Sequence, residues 1–128
     1  MALQLTTPIQ MRFADIDSFG HANNIAQQSY FDLGKAEFFD ELWRLVPEQT
    51  SVTAMIVSVQ NDFLKQILWG DAISVITSIE AVGTKSLTFS QQIVREEEVC
   101  SRSRTVMVCY DKEAQESVPV PAEWREFI

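Results

Sequence analysis

The sequence predicts an α+β domain, with one antiparallel sheet wrapped around a single long central helix. Three observations predict it. A long helical pattern is followed by a switch of the apolar period to two. The helix carries apolar residues on most of its circumference, the mark of a buried helix. The strands are gathered into one run instead of alternating with helices, which speaks for α+β and against a parallel βαβ plan.

The elements follow in order. Gln4 to Phe13 reads as a strand with a proline near its start, because Leu5, Ile9, Met11 and Phe13 share odd positions. Asp15 to Asn24 is polar, contains Gly20, and must be a loop. A helix runs from Asn24 to Val46. Leu33, Phe38, Leu42 and Leu45 form one stripe on it, and Phe31, Phe39, Trp43 and Val46 a second. Gly34 in mid-helix costs about 1 kcal/mol against alanine, so its presence predicts close approach of another backbone. Pro47 stops the helix.

Alternation then takes over. Val57, Val59 and Phe63 alternate with Ser58, Gln60 and Asp62. Ile73, Val75, Ile79 and Ala81 face one way, and Leu87, Phe89 and Ile93 repeat the pattern. Val106, Val108 and Tyr110 close the set. Strict alternation predicts half-buried antiparallel strands. Gly70-Asp71, Gly83 and Glu96-Glu97-Glu98 mark the turns, and Pro119 to Pro121 leaves the sheet. Such a sheet has edges, and edges invite pairing.

Composition bounds the rest. A chain of 128 residues, 46% hydrophobic, is one domain with a real core, spanning residues 1–128. No run approaches the roughly 18 apolar residues of a membrane span, and Met1 to Met11 lacks the pattern of a secretory signal. Cys100 and Cys109 make no disulfide framework. Their odd separation along one strand points them to opposite faces, as buried free thiols in a reducing cytoplasm. A formal net charge of −8 speaks against nucleic acid and membrane surfaces as partners. Any phosphorylated ligand must be met by a local concentration of the few basic residues.

Candidate chemistry gathers in the loop Arg12 to Asn24, which holds Asp15, Asp17, the lone His21, Asn23 and Asn24. Asp-x-Asp-x-x-Gly begins like a calcium loop, but Phe19 occupies a ligand position and Ala26 the closing acid position. One histidine and two cysteines of one strand make no zinc site, so no metal is expected. No Gly-x-Ser-x-Gly elbow accompanies a triad inventory. The start of the helix offers more. Its first N–H groups lack internal partners and its dipole favours negative charge, so the junction can hold an oxyanion. An Asp in that loop can attack an acyl carbon or deprotonate water. The plainer alternative is that these Asp and Asn residues are helix caps and Asx-turns.

Asp15-x-Asp17-x-x-Gly20-His21-x-Asn23-Asn24, followed by Tyr30-Phe31-Asp32, resembles the signature of hotdog-fold thioesterases of the 4-hydroxybenzoyl-CoA type. That signature reads Asp-x-Asp-x-x-Gly-His-Val-Asn-Asn, a Tyr, then Tyr-Phe-Glu and Ala-Arg. Phe63 to Asp71, Gly83 to Leu87, Arg104 to Val108 and Pro119 to Pro121 resemble later segments, so the likeness covers nearly the whole chain. It implies a hotdog α+β fold and an acyl-CoA thioesterase. Asp17 matches the catalytic carboxylate, and the Asn24 N–H the oxyanion donor. His21 matches a residue that orients water or substrate, with Gly20 beside it.

The resemblance also implies substrate contacts from Asn23, Gln27, Phe63, Lys65, Lys85 and Ser86. Coenzyme A enters as part of the substrate, with no separate cofactor, across the interface of a homodimer or homotetramer. Lys65, Lys85, Arg102 and Arg104 are the candidates for its phosphates. Where the family carries Tyr, Val and Arg, this chain has Gln27, Ala22 and Lys35, which leaves the acyl preference open. Other readings remain. A non-catalytic acyl-CoA binding module fits the same motif. A hydratase or dehydratase would need a His and a carboxylate facing each other across a dimer, whereas here they lie within a few residues. An acyl carrier protein as donor would be repelled by the net charge.

Overall fold

The structure is a computed structural model describing residues 2–128. Its elements are β1 (Gln4–Ile9), α1 (Asn24–Leu45), β2 (Val52–Phe63), β3 (Ile73–Val82), β4 (Ser86–Arg95), β5 (Glu98–Asp111) and β6 (Glu116–Ser117). Short 3-10 turns occupy Phe13–Asp15, Pro47–Gln49 and Trp124–Glu126. The sheet order is β1-β3-β4-β5-β2, every pair antiparallel, with β6 against β5. The helix crosses the inner face and packs on β1, β3 and β4. This is the sheet-around-helix architecture that the sequence predicts.

Several local expectations are corrected. β1 stops at Ile9, because its partner β3 begins at Ile73, opposite Ile9, and offers no ladder beyond it. Phe13 to Asp15 turns instead as a 3-10 helix. The helix is not buried all round. Its covered residues, Ala26, Gln27, Tyr30, Phe31, Gly34, Lys35, Phe38, Phe39 and Leu42, repeat as one face. Ile25 at 78% and Leu33 at 45% exposure lie off it.

Nor is β2 half-buried. Val57, Val59 and Phe63 are exposed, because β2 is the last strand and α1 packs mainly on β1, β3 and β4. The two cysteines do not face opposite ways. The β4–β5 register shifts so that Ile93 pairs with Ser101 and Val94 with Val99. Cys100 is the extra residue of that bulge, and strand parity reverses there. Both thiols are fully buried, Cys109 with its pKa pushed up to about 11 by desolvation.

Gly34 approaches side chains rather than a backbone. A Cβ there would lie 2.6 Å from Thr77 Oγ1 and 2.8 Å from Gln91 Nε2. These atoms belong to a polar layer dividing the core. On one side Phe38, Phe39, Leu42, Leu87, Phe89 and Trp124 pack together. On the other are Tyr30, Phe31, Ile67, Ile73, Ile93 and Cys100. Between them Gln91 Nε2 donates to Phe31 O at 2.8 Å and Thr77 Oγ1 at 2.9 Å, and Lys35 Nζ donates to Gln91 Oε1 at 3.2 Å. The buried lysine is satisfied by Gln91 Oε1 and by Asp32, 3.3 Å away. Desolvation lowers its pKa against the opposing pull of Asp32.

Candidate active site

The segment from Asp15 to Asn24 is held by backbone bonds before any side chain acts. Asp17 N donates to His21 O at 3.1 Å, and Gly20 N to Asp17 O at 3.0 Å. The turn places Gly20 at φ +89, a left-handed conformation that glycine adopts freely. On leaving the turn, Ala22 N donates to Ile67 O at 2.8 Å, and Asn23 N to Asp15 O at 3.0 Å. Asn23 is the N-cap, its Oδ1 accepting from Ala26 N at 2.7 Å. Asn24 is therefore the first helical residue, and its N–H has no intrahelical partner.

The two aspartates of the loop have separate environments. Asp15 is 3% exposed. Its Oδ2 accepts from Tyr30 Oη at 2.7 Å and Arg12 N at 3.0 Å, and its Oδ1 from Arg12 Nη2 at 3.1 Å. Desolvation alone would raise its pKa, but the Tyr30 and Arg12 hydrogen bonds outweigh it and hold the carboxyl below its ordinary value. Burial and the same contact drive the Tyr30 pKa well up. Asp15 is thus an anchor. Asp17 is only partly buried, and its Oδ1 accepts from Phe19 N at 2.9 Å, an Asx-turn. Its Oδ2 has no partner among the described residues.

A cleft of about 460 Å³ collects most of the predicted site. Asp17, His21, Asn23, Asn24, Gln27, Phe63 and Lys65 line it, together with Ala22, Phe19, Leu64 and Gln66. Phe19 stacks on His21, ring centroids 6.2 Å apart. Gln27 is buried at the cleft, its Nε2 donating to Ala22 O at 3.2 Å and its Oε1 accepting from Ser101 Oγ. Lys65 Nζ stands 3.7 Å from Glu98, in a pair exposed on both sides. The arrangement joins one free carboxylate oxygen, one imidazole and the open start of a 22-residue helix. That combination can activate water or attack an acyl carbon while a helix N–H holds the developing oxyanion.

Other predicted residues are not brought there within one chain. Lys85 and Ser86 sit at the β3–β4 turn, where Lys85 Nζ reaches Ser117 Oγ at 3.4 Å. Ser86 pairs with Val108, whereas Phe63 of the cleft pairs with Ser101. Seven residues of β5 separate the two ends, about 24 Å at strand rise. Arg102 and Arg104 border a separate surface groove with Glu80, which accepts from Arg104 Nε at 2.9 Å. Among the described residues no three His, Cys, Asp or Glu side chains converge as metal ligands.

Sequence reasoning missed Ser101 and Tyr30 as supports of the loop. Tyr30 was visible as part of the motif, but its partner is fifteen residues away and hidden in a 3-10 turn. Ser101 carried no signal, because the bulge at Cys100 decides which way it points.

Comparison with known proteins bears on what this cleft does. A family model described as the thioesterase-like superfamily matches residues 11–128. A predicted thioesterase from Bacillus stearothermophilus is 26% identical, superposes with a TM-score of 0.81, and is matched over 97% of this chain and 92% of that one. A thioesterase complexed with coenzyme A and Zn from Thermus thermophilus is 26% identical, with a TM-score of 0.80 over 94% of each chain. A mutant 4-hydroxybenzoyl CoA thioesterase complexed with 4-hydroxybenzoyl CoA shares the fold, with 18% identity, a TM-score of 0.82 and 96% of each chain covered.

Proposed function

This chain belongs to the thioesterase-like superfamily and is a thioester hydrolase of the hotdog fold, and from that premise we propose that it hydrolyses an acyl-CoA to the free acid and coenzyme A at the cleft between Asp17 and Asn24. The observation that carries the reading is the unpaired Oδ2 of Asp17 lining the same cleft as the open N-terminus of α1. The Phe19 N–H holds one carboxylate oxygen and leaves the other to act as nucleophile or general base. The Asn24 N–H and the helix dipole stabilise the oxyanion. His21, fixed against Phe19, orients water or substrate.

Coenzyme A approaches on the Lys65 side, the cationic wall of the cleft. The chain works as a homodimer or homotetramer. Support comes from β2, a twelve-residue edge strand with Met55, Ile56, Val57 and Val59 exposed. An unpaired edge with apolar side chains is stable when a second copy pairs with it. Lys85 and Ser86 reach a substrate only across such a boundary. Among the described residues no helix is long and apolar enough to cross a membrane. Two buried free thiols suit a reducing compartment, the cytoplasm.

The test is thiol release from a panel of acyl-CoAs by the wild type and by Asp17→Asn. Hydrolysis that depends on Asp17 supports the reading. Binding of the panel without thiol release would make the protein an acyl-CoA binding module instead.

A further inference from the structure

The donor at the start of α1 is a single backbone N–H, and two peptide planes set its direction. One plane holds Ala22 O and Asn23 N, and the next holds Asn23 O and the Asn24 N–H. Only the torsions of Asn23, φ −76 and ψ 166, join them. Whatever grips both planes therefore aims the N–H.

Gln27 grips both. Its backbone N donates to Asn23 O at 3.0 Å, and its side-chain Nε2 donates to Ala22 O at 3.2 Å. The far end of the first plane is tied by Asn23 N to Asp15 O at 3.0 Å. The orientation of the Gln27 amide is forced. Ala22 O is a carbonyl and only accepts, so the amide must turn its Nε2 toward it and its Oε1 away. That oxygen meets Ser101 Oγ, which must then donate. Ser101 on β5 thus locks the amide in the one orientation that holds Ala22 O. Gln27 is 5% exposed and Ser101 is fully buried, so water hardly competes for these bonds.

We propose that Gln27 is a positioning residue of the oxyanion hole, locked by Ser101, and that it acts on the reaction through the Asn24 N–H and not by touching the acyl group. The inference rests on the thioesterase reading and adds to it the side chains that align the donor. Both ends of the Gln27 amide are engaged within the chain before any substrate arrives. Hydrogen bonds weaken steeply as their angle falls, so a tilted Asn24 N–H would serve the oxyanion poorly. The ground-state carbonyl asks less of that donor than the oxyanion does. Loosening the planes should therefore slow turnover without weakening binding.

The experiment measures kcat and KM on acetyl-, butyryl- and benzoyl-CoA for the wild type, Gln27→Met, Ser101→Ala and the double variant, with a thermal melt of each. Gln27→Met is expected to lower kcat roughly 10–100-fold with KM within about twofold, and to the same degree on every thioester hydrolysed. Ser101→Ala, the milder change, should lower kcat several-fold. The double variant should be no slower than Gln27→Met alone, because both act through one bond. A second readout is the carbonyl stretch of an isotope-labelled acyl-CoA bound to Asp17→Asn, in which turnover is slowed. Binding should move it to lower frequency, and adding Gln27→Met or Ser101→Ala should reduce that shift. A residue that only supports the fold would change the melt and leave the shift as it was.

Unchanged kcat in folded Gln27→Met and Ser101→Ala proteins overturns the proposal and leaves the thioesterase reading standing. A raised KM or an altered order of preference among the three thioesters, with kcat kept, would make Gln27 a substrate contact and overturn it too. A lower kcat with an undiminished carbonyl shift would separate Gln27 from the oxyanion, with the same consequence. Failure of the wild type to hydrolyse any of the three overturns both readings together.

Discussion

Tyr30 donates its hydroxyl hydrogen to Asp15 across 2.7 Å, joining the first turns of the helix to the loop that carries Asp17. The bond lies in the interior, and its acceptor is a carboxylate, the stronger kind of hydrogen bond. Removing the donor leaves a buried charge with one fewer partner.

Tyr30→Phe is therefore expected to cost about 1–3 kcal/mol of stability. The pH dependence follows from the lowered pKa of Asp15. An acid with a depressed folded-state pKa stabilises the protein above its unfolded value, about 3.9, and that stability is lost as pH falls through the folded value. Wild-type stability should decline below about pH 4, and Tyr30→Phe should show a shallower acid decline. Urea titrations of both proteins between acid and neutral pH measure this. Parallel pH profiles would remove Asp15 from the account.

Asp15 and Asp17 are expected to fail differently. Asp17→Asn keeps the Phe19 N–H contact through its amide oxygen, so its melt should stay near wild type while kcat falls roughly 10²–10⁴-fold. Asp15→Asn should lower the melting temperature first, with rate losses that follow unfolding. Wild-type turnover by a folded Asp17→Asn protein would end the proposed mechanism.

At Gly34 the helix gains about 1 kcal/mol of propensity from alanine, yet the new methyl group meets Thr77 Oγ1, Gln91 Nε2 and Val75 at under 3 Å. Overpacking of this kind costs about 1–3 kcal/mol, so Gly34→Ala should be destabilising in net. A chemical denaturation midpoint above wild type would show that the polar layer yields.

Lys65→Ala is expected to raise KM for acyl-CoA several-fold with little change in kcat, the pattern of lost uniform binding. The rise should shrink at high salt, since the lysine is exposed and its field is screened. Lys85→Ala gives the companion measurement. A comparable rise would bring Lys85 of one subunit to the cleft of another, and an unchanged KM would take it out of the site.

Pairing through β2 predicts that Val59→Lys weakens the oligomer, because a charge on an edge strand discourages association. Light scattering against concentration reads the result, and activity should fall with the oligomer. A stable, fully active wild-type monomer would contradict the shared site.

The sequence by itself determined the fold class and which candidate residues the loop gathers. Periods of 3.6 and 2 are local properties, so the helix start at Asn24, the stop at Pro47 and the strand run were all legible in the residues. The clustering of Asp17, His21 and Asn24 was legible for the same reason: one turn and one helix start bring them together. Only the tertiary structure decided what long-range packing controls. Which face of α1 is covered depends on the sheet order, which leaves β2 and Ile25 open. The inward turn of both cysteines, and the path of Ser101 to Gln27, depend on one bulge at Cys100. The division of labour between two aspartates two residues apart depends on Tyr30, which reaches one carboxylate and not the other. Alternation fixes side-chain direction only while register is kept, and partners far apart in sequence are set by packing, which no local pattern encodes.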